Sequence, residues 1–390
     1  MLFWYLAIYR NHNAKYRQMK IYKWLSKINI SFYNIRGDSK KYHNKNKEGL
    51  KMIEETVFTN EKIIEAVKKV YNIDVHQVEK LNRGSANLYS LNENKYILKE
   101  FQTKYTKEEI DKEINIINHL KKDNIPVPEY IKTITGEYSF IYENRVIIMQ
   151  KFIDGYTIES NTGNYEQVLE SAEYLGKIIK SLATLKVQLP SNDVSSWYSK
   201  ETINESIDKQ EKLLEKISIE NYPHIYKDLT DKISMLKYVR DNLDFSDMNK
   251  LTIMNTHGDY SLLQFIYKNG KINAIIDFVS ACKMPIVWEV IRSYSYIDSK
   301  AKEGKIDIDN LVEYVRTFTN YVKLNKYDFK FMSYLYLVQL LASTFGYKQY
   351  IADNSKTGLL DFAYFRTRLC KFLFKNAEKI ANTLIEELTN

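Results

Sequence analysis

From Asn60 onward the apolar positions follow first a helical and then a strand period. Ile63, Ile64, Val67 and Val70 recur at helical spacing behind Asn60, which can cap, and predict a helix. Short apolar segments at 75–81, 88–91 and 96–101 then read as strands. The first two flank the small-residue turn Arg83-Gly84-Ser85-Ala86-Asn87, and the last two are joined through Asn92–Asn94. A helix is expected from about Thr106, with Ile110, Ile114, Ile117 and Leu120 on its apolar face. Ile125-Pro126-Val127-Pro128 ends it, because a proline biases the residue before it to extended backbone. Strands at 138–142 and 145–150 turn at Glu143-Asn144, and Lys151-Phe152-Ile153-Asp154-Gly155 is a short connector. Beyond it, helical spacing dominates at 165–185, 199–219, 224–243, 311–322, 331–345 and 359–384. One β-hairpin interrupts it, with Asn269-Gly270 as the turn and the apolar run 272–276 as its second strand.

This order predicts an α+β chain with a small β-rich N-terminal lobe (52–152) and a larger helical C-terminal lobe (153–390). Two charged helices form an insert at about 195–245.

Charge refines the boundaries. Residues 1–51 hold 12 of the 57 Lys/Arg and 2 of the 49 Asp/Glu, so the remaining 45 and 47 leave the body at −2. The overall +8 therefore belongs to an N-terminal extension, and the body carries no basic footprint for nucleic acid. In that extension, basic and aromatic residues interleave (Lys15, Tyr16, Arg17, Lys20, Tyr22, Lys23, Trp24). It reads either as a segment resting on an anionic membrane surface or as a docked or loosely ordered arm, with Met52 as an alternative start of the body. The apolar run 2–9 is too short to span a bilayer. The two cysteines, Cys282 and Cys370, and six scattered histidines show no metal-ligand spacing, and a reducing, intracellular setting fits.

The candidate chemistry lies in Asn255–Val279. His257-Gly258-Asp259 is followed five positions later by Gln264, and the hairpin then delivers Asp277. Two carboxylates and one amide suit a reaction that holds Mg²⁺ against phosphate, since Mg²⁺ accepts sparse oxygen ligation completed by substrate phosphates. Asp259 can orient or deprotonate an acceptor hydroxyl, while Gln264 and Asp277 can hold the metal. Read structurally, the aspartates are a turn residue and a strand-end cap, and His257 a core histidine. Upstream, Lys99 interrupts an apolar strand and calls for an anionic partner, Glu113 or, second, Glu109. The turn at Gly84 and Ser85 can lay backbone N–H groups over phosphates, or serve as a plain hairpin. The connector places backbone at Gln150–Phe152 where an adenine would bond. Tyr334, Tyr336, Tyr347 and Tyr350 read as core or as the wall of an acceptor pocket, and acidic residues are too sparse there for a polycationic aminoglycoside.

HGDYSLLQF at 257–265 followed by IIDF at 275–278 resembles the aminoglycoside phosphotransferase and choline-kinase-like family, which includes homoserine kinase and spore-coat-associated relatives. The Gly-Ser-Ala-Asn-Leu-Tyr turn at 84–89, Tyr-Ile-Leu-Lys at 96–99, the Glu113 helix and the Ile-Pro-Val-Pro exit extend the likeness to about 75–350. The resemblance implies a two-lobed protein-kinase-like fold and ATP and Mg²⁺ as cofactors. It implies Asp259 as catalytic base, Gln264 and Asp277 as metal ligands, and Lys99 on the ATP phosphates, held by Glu113. Gln264 stands where the family more often has Asn, and Glu289 where an Asp often follows the proline; Glu289 and Arg292 are expected as structural supports. The implied activity is transfer of the γ-phosphate to a hydroxyl of a small-molecule acceptor, in the cytoplasm. The contrasting expectation is a non-catalytic protein of the same fold, such as a spore-coat component using its Tyr-rich surface and basic arm.

Overall fold

The computed structural model describes residues 54–81, 86–192 and 194–389. The basic extension 1–51 and the turn at Gly84 and Ser85 lie outside the described residues. The chain divides into two units, one ending at Ile114 and taking in Glu129–Phe152, the other comprising Asn115–Pro128 and Ile153–Asn390.

The first unit is an antiparallel five-stranded sheet of order β1-β2-β3-β5-β4, built from β1 (Val78–Leu81), β2 (Asn87–Leu91), β3 (Tyr96–Glu100), β4 (Ser139–Tyr142) and β5 (Arg145–Lys151). Helix α1 (Asn60–Tyr71) packs Ile63, Ala66, Val67 and Tyr71 into a core with Tyr89, Leu91, Leu98, Ile147 and Met149. Each such apolar side chain taken from water contributes about 1.5–3 kcal/mol. The cap of α1 is Thr59, whose side chain accepts from Lys62 N–H, rather than Asn60, which is the first helical residue. Asn72 closes the other end in left-handed backbone.

Glu100 is fully buried beneath this sheet and is paired with Arg145, whose Nε lies 3.2 Å from Glu100 Oε1. Thr56 Oγ1 and the Val57 N–H donate to the same carboxylate, and Arg145 donates to the Glu55 carbonyl at 2.8 Å. The pair thus pins the segment preceding α1 to strands β3 and β5.

Helix α2 (Lys107–Lys122) begins in the first unit with a capping box between Thr106 and Glu109, which engages Glu109 locally. Its second half groups with the second unit, where His119 Nε2 meets the Ser181 carbonyl at 2.9 Å, Ser181 Oγ donates to Asp123, and the Ile275 N–H donates to the Pro126 carbonyl.

The second unit is mostly helical. Its helices are α3 (Tyr165–Leu182), α4 (Lys200–Leu214), α5 (Pro223–Asn242), α6 (Ile286–Ile297), α7 (Ile308–Thr319), α8 (Lys326–Ala342), α9 (Tyr347–Ala352) and α10 (Thr357–Leu388). Two small antiparallel pairs sit among them: β6 (Ile253–Thr256) with β9 (Cys282–Pro285), and the hairpin β7 (Phe265–Lys268) with β8 (Lys271–Ile275). Asn269 and Gly270 turn that hairpin at φ 52° and 76°, the backbone that a two-residue turn between twisted strands requires. Helix α6 was not among the helices expected from the sequence; all twelve of its residues are buried, the polar Glu289, Arg292, Ser293 and Ser295 included. No helix among the described residues is long and apolar enough to cross a membrane.

Candidate functional site

Strand β6 ends at Thr256 and delivers His257, Gly258 and Asp259; hairpin β7–β8 ends at Ile275 and delivers Asp277. Three ties hold these two segments together. His257, fully buried, has its Nε2 3.1 Å from the Ile276 carbonyl, and its Nδ1 accepts from the Asp259 N–H at 3.3 Å. Those partners assign Nε2 as the protonated nitrogen. Burial holds the ring neutral by pushing its pKa down to about 4. Next, the Ile276 N–H donates to the Gln264 carbonyl at 2.9 Å. Finally, Gly258, at φ +82°, lies so close to the Ser280 carbonyl that a Cβ would meet its oxygen at 2.0 Å. Asp277 itself is in left-handed backbone (φ 69°, ψ 59°), which Asp adopts more readily than most residues. His257 therefore does mechanical work between the two aspartate segments.

Helix α6 supplies the second support. Glu289, fully buried, accepts from Thr256 Oγ1 and, at 3.0 Å, from the Tyr260 N–H. The Gly258 backbone is a further partner of the same carboxylate, and desolvation pushes Glu289 up to about 7. Arg292, 2% exposed, pairs with Asp259 Oδ1 and donates to the Tyr260 carbonyl at 3.2 Å. Tyr260 is anchored at its far end by its hydroxyl, which donates to the Ser171 carbonyl on α3. One side of the Asp259 loop is thus held by a buried Glu–Arg couple spaced three residues apart on α6. The sequence signal was there, two opposite charges inside an otherwise apolar run, but the geometry shows them gripping the loop directly.

Around Asp259 the electrostatics oppose one another. Burial pushes its carboxyl up to about 6, the Arg292 guanidinium pulls it down, and the Asp277 carboxylate raises it again. That mutual influence brings Asp259 and Asp277 within electrostatic range. Gln264, 5% exposed in a 3₁₀ turn (Leu262–Gln264), directs Nε2 to Asp259 Oδ2 at 3.4 Å. Its Oε1 is then the atom left for a cation. Asp277 and Gln264 offer only hard oxygen donors, which fits a small divalent cation completed by phosphate oxygens. No cluster of three or more His, Cys, Asp or Glu able to hold a metal occurs among the described residues.

The remaining candidates lie in the first unit. Lys99 is half-buried on β3, on the face opposite Leu98 and Glu100, with its Nζ 4.4 Å from the Phe101 ring centroid. Glu113 is buried on α2, 2% exposed. Gln150 pairs with Ile97 across β3–β5 and bridges Tyr130. The N–H groups of Lys151 and Phe152 already donate to the Glu129 and Lys95 carbonyls. Of the tyrosines read as core or pocket wall, Tyr336 and Tyr347 are buried, while Tyr334 and Tyr350 are half-exposed.

Comparison with solved structures identifies the fold. A spectinomycin phosphotransferase in complex with ADP and spectinomycin superposes with a TM-score of 0.56 at 18% identity, covering 85% of this chain and 100% of that one. An aminoglycoside phosphotransferase from Alicyclobacillus acidocaldarius gives 0.56 at 11% identity (81% and 95%), and a microcompartment-associated aminopropanol kinase 0.52 at 13% (82% and 98%). Among curated proteins, homoserine kinase of Zymomonas mobilis is 24% identical over 201 residues, which is 51% of this chain. The match spans only 57% of that enzyme's own length. The antiparallel sheet unit and mostly helical remainder are those of protein-kinase-like proteins. The family model described as the phosphotransferase enzyme family (APH) matches residues 77–309, well over half of the chain, and the chain belongs to that family.

Proposed function

We propose that the chain is an ATP- and Mg²⁺-dependent kinase that transfers the γ-phosphate to a hydroxyl of a small-molecule acceptor. The observation that carries this reading is the fastening of two carboxylates on adjoining loops, with Gln264 beside Asp259 and a buried Glu–Arg couple behind it. Phosphoryl transfer asks for such positioning and charge neutralisation more than for covalent chemistry. The acceptor oxygen forms the new bond to the γ-phosphorus as the bond to the β–γ bridging oxygen breaks, and Asp259 takes the hydroxyl proton. A carboxyl tuned near the working pH suits that role. Asp277 and Gln264 Oε1 would hold Mg²⁺, which when bound supplies neutralisation of the phosphate charge.

In the first unit, Lys99 is assigned to the nucleotide phosphates and Glu113 to holding it. Adenine is assigned to the backbone at Gln150 and Phe152, where carbonyl oxygens would serve because the Phe152 N–H is already engaged. Gly84 and Ser85 are assigned to the phosphate turn. The acceptors named for the similar proteins range from those of homoserine kinase and aminopropanol kinase to spectinomycin, so an acceptor panel must span that range.

The test is ATP consumption, with Mg²⁺, over a panel of sugars, amino alcohols, hydroxy acids and aminoglycosides. An acceptor-dependent rate should appear and fall at least about 10³-fold in Asp259→Ala. Unchanged turnover in that variant would remove Asp259 from the chemistry.

A further inference from the structure

Helices α6, α8 and α10 carry a set of groups that the transfer chemistry does not use. On α6, the Arg292 guanidinium lies over the rings of Trp288 (5.4 Å) and Tyr296 (5.2 Å). Tyr296 stacks on Phe362 of α10, centroids 6.0 Å apart at 17°, and the Arg366 guanidinium lies 5.5 Å from the Phe362 ring. A run of rings therefore leads from the arginine that holds Asp259 to a second arginine. On α8, Gln339 accepts from Trp288 Nε1 at 2.9 Å, and Ser343, just past its last turn, accepts from Arg366 Nη1 at 3.1 Å.

What distinguishes this place is uncompensated positive charge. Arg366 is 6% exposed, and its Nε is buried with no acceptor among the described residues. Gln339 Nε2, one helix away, is likewise buried and without an acceptor. Lys232 of α5, 3% exposed, donates to the Ser343 carbonyl, so two buried cations converge on one residue. The Arg366 guanidinium, together with burial, pushes Lys232 down to about 8. Asp228, whose charge acts on Lys232, is engaged by Lys371 at 2.7 Å and by the Tyr347 hydroxyl at 2.6 Å. A guanidinium does not shed its proton, and a buried one held by a hydroxyl and a ring rather than by a carboxylate is costly. Ser343, Phe345 and Phe362 are half-exposed, which leaves the group approachable.

We propose that Arg366 and Gln339, with Lys232 behind them, form an anion subsite at the C-terminal end of α8 that holds the carboxylate of the acceptor, so that the acceptor class is a small hydroxy acid. The assignment rests on the phosphotransfer reading of Asp259 for its role, but its binding chemistry is testable separately. Matched probes differ only in the carboxylate: D-glycerate against glycerol, and L-homoserine against 3-aminopropan-1-ol, with sodium sulfate as a free anion.

In the absence of nucleotide, at least one of the two hydroxy acids should raise the melting temperature of the wild-type protein while its uncharged partner does not. The gain should vanish in Arg366→Met and return in part in Arg366→Lys. In ATP turnover, Arg366→Met should raise KM for the acid about 30-fold or more while kcat stays within about threefold, the loss expected for one charge-assisted contact in uniform binding. If Arg366→Met does not fold, Gln339→Leu carries the same test with a smaller KM effect. Equal response to charged and uncharged partners, stabilisation by sulfate alone, or undiminished acid binding in a folded Arg366→Met protein each overturns the subsite. Acid binding through Arg366 with no phosphate transfer to any acid leaves the subsite standing and overturns the kinase reading instead.

Discussion

Gly258→Ala separates geometry from chemistry at the centre of this site. A Cβ at position 258 would sit 2.0 Å from the Ser280 carbonyl oxygen, whereas ordinary contact begins at 3.4 Å, so the His257–Asp259 loop and the Phe278–Ser280 turn must part by roughly an ångström or more. The backbone is also left-handed at φ +82°, which adds about 1–2 kcal/mol for any residue with a Cβ. That parting changes the placement of Asp259 relative to Asp277, and a misplacement of about 1 Å costs roughly 100-fold in rate. Gly270→Ala supplies the control. It has a similar φ of +76° but nothing within 4 Å of its Cβ, so it bears the backbone cost without the displacement. Coupled ATP-turnover assays and thermal melts on both variants should show a small loss of stability from backbone strain in Gly270→Ala and a larger one in Gly258→Ala, with the 100-fold drop in kcat confined to Gly258→Ala. Gly258→Ala with wild-type kcat would refute the claim that this close approach sets the distance between the two carboxylates.

Other outcomes follow from buried charge. Glu100→Gln removes the fully buried counter-ion of Arg145 and leaves the partly exposed Glu54 carboxylate, 3.1 Å from Nη1, as its remaining one, so stability should fall by about 3 kcal/mol in urea melts, with loosening of residues 54–58 seen by hydrogen exchange. Lys232 has a pKa depressed from 10.5 to about 8, so the folded state disfavours its charged form. Below about pH 8 that penalty is fully present, at about 3 kcal/mol, and it is relieved as pH rises from 8 towards 10.5. Lys232→Met should therefore stabilise the protein at pH 7 and flatten the rise in stability above pH 8, as followed by denaturant midpoints; a destabilised variant with an unchanged pH profile would contradict this. Glu289→Gln keeps the shape but weakens the acceptor for Thr256 and for the Gly258 and Tyr260 backbone, and should reduce kcat roughly tenfold with little change in the KM for ATP.

Much of this fold was legible because most elements have one wet face. The Ile63–Val67 spacing, the Asn269-Gly270 turn and the alternation around β3 each report a surface half in water. Helix α6 has no such face: its polar residues Glu289, Arg292, Ser293 and Ser295 are themselves buried, so what they grip was not legible from the segment alone. Glu100 was overlooked for a related reason. Its neighbour Lys99 drew the argument as the odd charge in an apolar strand, yet the strand's alternation sends Leu98 and Glu100 to the buried side, where Arg145 waits from β5. Pairing across strands is a tertiary fact that a single segment does not carry. The cap at Thr59 rather than Asn60 is the usual one-residue ambiguity between two residues that both cap well.

The arrangement around Asp259 also explains why the site tolerates two carboxylates in electrostatic range. Burial and Asp277 both disfavour the charged form, and Arg292 is the cation that opposes them. Arg292 donates to Oδ1, while Oδ2 receives the long 3.4 Å contact from Gln264. One oxygen is thus spent on fixing the side chain, and the other keeps unused accepting capacity for a hydroxyl proton. Arg292→Lys preserves the charge but loses the fork that reaches Asp259 and the Tyr260 carbonyl at once. If orientation is what Arg292 provides, that variant should lose most of the kcat that Arg292→Met loses, despite its retained charge. Near-complete rescue by lysine would show instead that the guanidinium serves only to neutralise, and that the loop is held by Glu289 and His257 alone.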